Sequence, residues 1–269
     1  MRPFDKEPSF ADLVPTFDTF PGFTAKDFGA FEKRKQRDEL FNGERLLVKR
    51  KLAALGKQLV PVLAAAGLGV EAKTSLSHPY TYNGFKVDSM WAYFGRDDAA
   101  KKAVKKKLGA ELGKDVDPTY QGVILLVEID EKRVACGLKI HPAAWWDGKN
   151  FANHALKAEA PRGPGVTSQR SLELTVLFNA LPPGFAMTLG DWKRRYEAGK
   201  IYDADVRNYM QYYKPGEVWL HILQEIPPAA AIEAGPALVD RAGALLAALV
   251  PVWKFIAWGP ENDHVLPGK

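Results

Sequence analysis

Between Gln121 and His141 the chain runs through two apolar stretches, Gln121–Ile129 and Arg133–His141, joined through Asp130-Glu131-Lys132. A polar connection this short reverses the chain and lays the two stretches side by side as an antiparallel hairpin. Parallel neighbours need a crossover of roughly a dozen residues or more, and three residues cannot supply one. The hairpin is the clearest in the chain, and it makes an antiparallel pairing part of whatever sheet the other elements join.

Those elements come in no regular βαβ alternation. Thr24 is a good N-cap residue and Asp27 suits the positive end of a helix whose inward face is Phe23, Phe28 and Phe31. From Asp38 to Ala66, Val48, Leu52, Leu55, Leu59 and Val62 step by four and three, the spacing of one helical stripe. Lys49, Arg50, Lys51 and Lys57 are expected to point outward, with Gly67 and Gly69 ending the helix. Strands are expected at Val70–Ser77 and Lys86–Phe94, with Val87, Ser89, Trp91 and Tyr93 on one face of the second. A lysine-rich helix spans Asp98–Leu112, with Ala100, Val104, Leu108 and Leu112 inward. A short helix, Asp147–Lys157, a loop at Pro161–Gly165 and a strand at Ser171–Phe178 follow. Thr188 is read as capping a helix to Ala198, and Asp203 another to Tyr213. A strand at Glu217–Ile226 precedes a terminal helix, Glu233–Trp258, carrying Leu238, Ala242, Leu245, Leu249, Val252 and Ile256 on one face. Hairpins interrupted by helices predict an α+β fold: a mainly antiparallel sheet with flanking helices in a single compact domain over residues 23–269. Residues 1–22, with Pro3, Pro8, Pro15 and Pro21, are expected to form an irregular N-terminal arm.

At 269 residues, 46% hydrophobic and 26% charged, the chain can bury a sizeable core, which excludes a disordered or collagen-like protein. The single cysteine, Cys136, excludes an internal disulfide and any cysteine-based zinc cluster, and suits a reducing cytoplasm. The opening residues have early acids and no apolar core, so no signal peptide is expected, and Ala244–Trp253 is about half the ~20 residues a membrane span needs. The net charge is +5, and its placement is uneven. Residues 26–51 carry nine Lys/Arg against five Asp/Glu, and residues 101–114 carry six lysines against one glutamate. The remainder of the chain is net acidic.

Several phrases resemble the YktB-like family of uncharacterised bacterial proteins. Phe23-Thr24-Ala25-Lys26-Asp27-Phe28-Gly29-Ala30-Phe31 is similar to that family's opening, and Lys51–Pro61 to its first long helix. Ala72-Lys73 followed by Trp91-Ala92-Tyr93-Phe94, then Leu181–Phe185 and Leu249-Val250-Pro251, occur in the matching order. The resemblance implies a compact bacterial α+β fold and supplies no activity. Where the family has a basic, proline-containing stretch this chain has Thr74–Tyr80, so no basic surface carries over there.

Familiar catalytic signatures are missing. There is no Gly-x-Ser-x-Gly elbow, no phosphate loop or dinucleotide fingerprint, and no HExxH or HxH among the five histidines, so no metal or cofactor is expected. His141 and His154, with Asp147 and Asp88, are the set able to converge on an ion. Asp117 with Asp130-Glu131-Lys132 has the residue types of a carboxylate-lysine nuclease, but a hairpin tip is charged simply because it is wet. Cys136 reads as a small buried thiol.

Two readings of function follow. In the first, the chain is a binding module whose basic helices meet an anionic partner, such as nucleic acid bound without sequence preference, through Lys101, Lys102, Lys105, Lys106 and Lys107. In the second, it is an enzyme or small-ligand receptor. An aromatic-polar pocket around Trp91 and Trp145 would then include His78, Tyr82, Asp88, Arg96, His141 and Asp147, with Asp88, His141 or Asp147 as acid-base groups. A third arrangement pairs two chains through the proline-rich arm and the terminal helix.

Overall fold

The computed structural model describes residues 14–75, 86–109, 111–116, 121–157, 172–190 and 192–266. It shows an α+β domain built on one seven-stranded sheet, ordered β1-β2-β3-β4-β7-β5-β6, with every pairing antiparallel. The strands are β1 (Val70–Ser75), β2 (Ser89–Arg96), β3 (Val123–Asp130), β4 (Val134–Ile140), β5 (Phe185–Leu189), β6 (Tyr196–Glu197) and β7 (Leu220–Ile226). The hairpin of β3 and β4 lies at the centre, in the register Val123↔Ile140 through Ile129↔Val134.

Alternation along the strands makes two buried faces. Met90, Ala92 and Phe94 of β2, Val123, Leu125, Val127 and Ile129 of β3, and Val134, Cys136, Leu138 and Ile140 of β4 join the main core. Helices α2 (Asn42–Ala65), α8 (Leu238–Ala248) and α9 (Val250–Ile256) supply the facing layer through Val48, Leu52, Leu55, Leu59, Leu245, Leu249, Val252 and Ile256. The opposite face carries a smaller cluster of Trp91, Ile124, Leu126, Ala135 and Leu223, with Tyr93 against it. On that face Gly137 is required: a Cβ there would collide with the Ile222 carbonyl oxygen and stand 2.5 Å from a Leu223 methyl.

The remaining helices are α1 (Ala25–Gly29), α3 (Asp98–Leu108), α4 (Trp145–His154), α5 (Glu173–Asn179), α6 (Asp203–Tyr212) and α7 (Pro228–Ala234). At α1 the Asp27 carboxylate accepts the Thr24 N–H (2.6 Å) and hydroxyl (2.9 Å), and Lys51 Nζ reaches it at 2.6 Å. Lys51 is thus buried against α1 rather than turned outward. The stripe on α2 ends at Leu63, while Val62 is exposed.

Three stretches differ from the sequence expectation. The segment expected as a strand at 171–178 is helix α5. Its apolar residues alternate, but Asp203 accepts the Leu172 N–H (3.1 Å) and the Thr175 hydroxyl (2.6 Å), capping the helix from a distant element. Where a helix from Thr188 to Ala198 is expected, Phe185–Leu189 is β5 and Tyr196–Glu197 is β6, because Phe185, Met187 and Leu189 alternate into the core beside β7. The terminal helix is broken. Gly235 takes φ +52° ahead of Pro236, and α9 turns 43° from the run Pro228–Ala248 where Pro251 has no N–H to give. No single helix among the described residues is long and apolar enough to cross a membrane, although the bent run Pro228–Ala248 with Val250–Ile256 would be if straight.

Candidate functional site

Arg96 ends β2 and Asp147 lies in the first turn of α4. They meet as a two-pronged ion pair, Nη1–Oδ2 at 2.9 Å and Nη2–Oδ1 at 2.5 Å, both side chains buried. The same carboxylate accepts the N–H of Val123 (2.6 Å) and of Trp258 (2.7 Å), and Arg96 Nη2 also donates to the Trp258 carbonyl at 2.8 Å. Four donors on one carboxylate leave no lone pair turned to a ligand. These two pocket candidates form a clamp tying β2, β3, α4 and the chain after α9.

The lysines of α3 divide by partner. Lys101 is buried in an ion pair with Glu71 of β1, and Lys107 pairs with Asp263 while lying 5.7 Å from the centre of the Trp258 ring. Neither is an open anion contact, which corrects the expectation of five equivalent lysines. Lys105 packs its stem against Gly113. Lys102 and Lys106 are exposed, one turn apart on the outward face, with no partner among the described residues. Leu112 lies past the end of the helix and is exposed.

Below α3 runs a ladder of indoles. Trp258 is buried and stacks on Trp146 (5.0 Å, planes 30° apart), and Trp146 meets Trp145 edge-on at 5.0 Å. Trp145 is 45% exposed. It borders a cavity of about 410 Å³ lined by Leu112, Gln121, Ala143, Trp145 and Trp146. Lysine helix and aromatic cavity are therefore one region, whereas sequence reasoning assigned them to rival functions.

The other candidates lie elsewhere. Trp91 pairs in register with Glu128 near the tip of the β3–β4 hairpin, and Trp145 follows the far end of β4. Five residues of strand, from Ala135 to Ile140, separate those levels, on the order of 17 Å, and Trp91 does not line the cavity beside Trp145. Asp88 pairs with Lys86 at 3.0 Å, beside a cleft of about 440 Å³ that also includes Lys33, Gln36, Ser89 and Lys132. His141 lies at the opposite strand end, accepting the Ala143 N–H on Nδ1 (2.8 Å) against the Trp219 ring at 4.3 Å. Asp88 and His141 thus form no acid-base pair. His154 stacks on Phe255 and lies tilted against His264, with ring centres 3.8 Å apart, and no group of three metal-ligating side chains occurs among the described residues. His78 and Tyr82, like Asp117 and the loop at 161–165, fall outside the described residues.

Near the hairpin tip, Glu128 is buried and receives Lys139 Nζ (3.0 Å) and the Ser89 hydroxyl (3.0 Å). Burial alone would raise its carboxyl, but the Lys139 ammonium, then Arg133 and Ser89, outweigh it and bring the pKa to about 2. Asp130 is occupied by the N–H groups of Lys132 and Arg133 and by the Arg133 guanidinium, as a turn-holding residue is. Burial pushes the Cys136 thiol up to about 12.

The two basic stretches do not merge. Gln36 accepts the Val87 N–H just before β2 starts, while Lys101 is bound to Glu71, which stands opposite Gly95 near the end of β2. The eight-residue difference is on the order of 25 Å along the sheet. Trp258 and Asp263, which complete the region around α3, carried no sequence signal, since their link to Lys107 exists only through the fold. No model of a known protein family matches the chain, and no curated protein matches it.

Proposed function

We propose that this chain is a binding protein for an anionic, base-bearing polymer, single-stranded nucleic acid, held at α3 and the indole ladder. The half-exposed Trp145 beside the cavity at the end of a lysine helix supports this reading most directly. Indole faces accept any base, with each stacked base worth roughly 1–3 kcal/mol, and lysines on the same surface attract the phosphates. Lys102 and Lys106 supply that attraction, and two such contacts predict log Kobs falling against log salt with a slope of about −1.4 on a single strand. The mode is weak and indifferent to sequence.

The test is a titration of labelled oligo(dT) and oligo(U), with duplex controls, at several salt concentrations. Trp145→Ala is expected to weaken binding about tenfold or more. Lys102→Ala/Lys106→Ala is expected to flatten the salt dependence towards zero. No binding at low salt, or variants that bind like the parent, overturns the reading. The receptor or enzyme alternative has less in its favour, because its proposed acid and base lie at opposite strand ends.

A further inference from the structure

After α9 the chain folds back over its own lysine helix. Asn262 fixes the return: its Nδ2 shares two N–H donors among the carbonyls of Lys254 (2.8 Å), Phe255 (3.0 Å) and Ala257 (2.9 Å), closing the open end of α9. The next residue, Asp263, delivers a carboxylate to Lys107, with Oδ1 accepting the Trp258 indole N–H at 2.8 Å. The same oxygen accepts the N–H of Val265 and of Leu266, both at 3.0 Å. Two of these four donors, the ammonium and the indole N–H, belong to the body of the domain and stand on the indole ladder. The other two travel with the segment.

We propose that residues 263–266 are a built-in competitor for the nucleic-acid site, the Asp263 carboxylate occupying the place that a backbone phosphate takes on Lys107 and the Trp258 indole N–H. The inference rests on the function proposed above and names the regulation of that site. A phosphate oxygen is an anionic acceptor like the carboxylate, so exchange keeps both the ion pair and the indole hydrogen bond. It also brings the adjoining base to the Trp146–Trp145 end of the ladder, two ring spacings of 5.0 Å away. Asn262 can remain on α9 during the exchange and act as the hinge, while the His264 N–H leaves Asn150 Oδ1 (2.8 Å) and its carbonyl leaves Asn153 Nδ2 (2.6 Å). Burial opposes charge on Asp263, but Lys107 and the surrounding N–H groups hold its carboxyl well below the usual range, so it competes as an anion at every physiological pH.

Competition lowers apparent affinity by the fraction of molecules whose site is open. Asp263→Asn, in the full chain, keeps the size of the side chain and removes its charge. Oligo(dT) is expected to bind this variant about tenfold more tightly, with a salt slope steeper by about 0.7 because Lys107 becomes an extra phosphate contact. Circular dichroism and urea unfolding establish that the variant is folded. Asp263→Glu, which keeps the charge, serves as the second variant and is expected to stay close to the parent.

A second readout needs no nucleic acid. Inorganic tripolyphosphate is expected to shift the Trp258 indole N–H resonance in Asp263→Asn at concentrations that leave the parent unmoved. If oligo(dT) binds parent and Asp263→Asn with the same affinity and slope, the competitor is overturned and the function stands. If oligo(dT) binds neither protein while tripolyphosphate shifts the indole only in the variant, the function is overturned and the masked anion position stands. No shift in either protein, with no gain in affinity, overturns the proposal.

Discussion

Replacing Asp147 by alanine removes one carboxylate and four hydrogen bonds at once. Arg96, buried, is left with a charge facing the Trp258 carbonyl and the Trp253 ring 5.6 Å away, and the N–H groups of Val123 and Trp258 lose their acceptor. Breaking a buried ion pair from one side costs about 3–5 kcal/mol, and each orphaned buried N–H about 1–3 kcal/mol. The losses share one carboxylate and do not add in full, so a total of about 5 kcal/mol is expected. That is a large part of the roughly 5–15 kcal/mol that holds a domain together. At about 2 cal/mol/K of unfolding entropy per residue, a chain of this length would melt about 9 °C lower. Arg96→Met should cost about 3–4 kcal/mol, since Asp147 keeps its two backbone donors. The double variant Arg96→Met/Asp147→Ala should lose about 2–3 kcal/mol less than the singles combined. Urea unfolding followed by circular dichroism measures all three. A loss under about 1 kcal/mol for Asp147→Ala, or single losses that simply add, would refute the clamp.

Acidification acts on the same segment through a histidine pair. His154 gives its Nδ1 proton to the Phe255 carbonyl (3.2 Å), with Glu173 near its Nε2 (3.3 Å), and His264 accepts from Lys157 on Nδ1 at 2.6 Å, with Asp263 next to it in the chain. Burial lowers both imidazoles below 6.5; Lys157 adds to the effect on both, and His154 adds to it on His264. The unfolded chain then binds more protons, so their contribution is whole above pH 6.5 and lost below it. Amide protection factors at residues 264–266, taken relative to the intrinsic exchange rate at each pH, should fall between pH 7 and 5.5, and a titration midpoint above 6.5 for His264 would contradict this. Glu128, held at about 2 against an ordinary 4.5, stabilises the fold above pH 4.5 and loses that contribution as pH falls towards 2. A gap of about 3 kcal/mol between the parent and Glu128→Gln at neutral pH should close over that window in urea titrations. Cys136 should stay unreactive to Ellman's reagent until the protein is unfolded, and prompt reaction in native buffer would contradict its burial.

What could be seen in the residues beforehand was whatever is written in local periodicity. The β3–β4 hairpin, the stripe from Val48 to Leu59 and the lysine helix all depend on neighbours a few positions apart. Helix α5 could not be seen that way, because its cap is Asp203, about thirty positions later. Thr188 looked like a cap, yet its neighbours Met187 and Leu189 are claimed by β7. The site followed the same division. Lys102 and Lys106 stand out in any reading, but whether Lys101 and Lys107 are available depends on Glu71 and Asp263, which only folding brings near. Trp145 was singled out for a pocket with Trp91, and its real neighbourhood, the end of α3, is more than thirty residues away in the chain.

The strand order also bears on how the molecule assembles. β1 to β4 form a run in which each strand lies beside its successor, and β3 joins β4 across three residues. The next seam, β4 with β7, must close a loop of about 80 residues. By the logarithmic law for loop closure, that costs about 3 kcal/mol more chain entropy than the hairpin. The meander with α2 against it therefore forms early. β7 docks late, bringing with it the chain that becomes α8, α9 and Trp258, so the indole ladder and the seat of Asp263 are among the last parts to be finished.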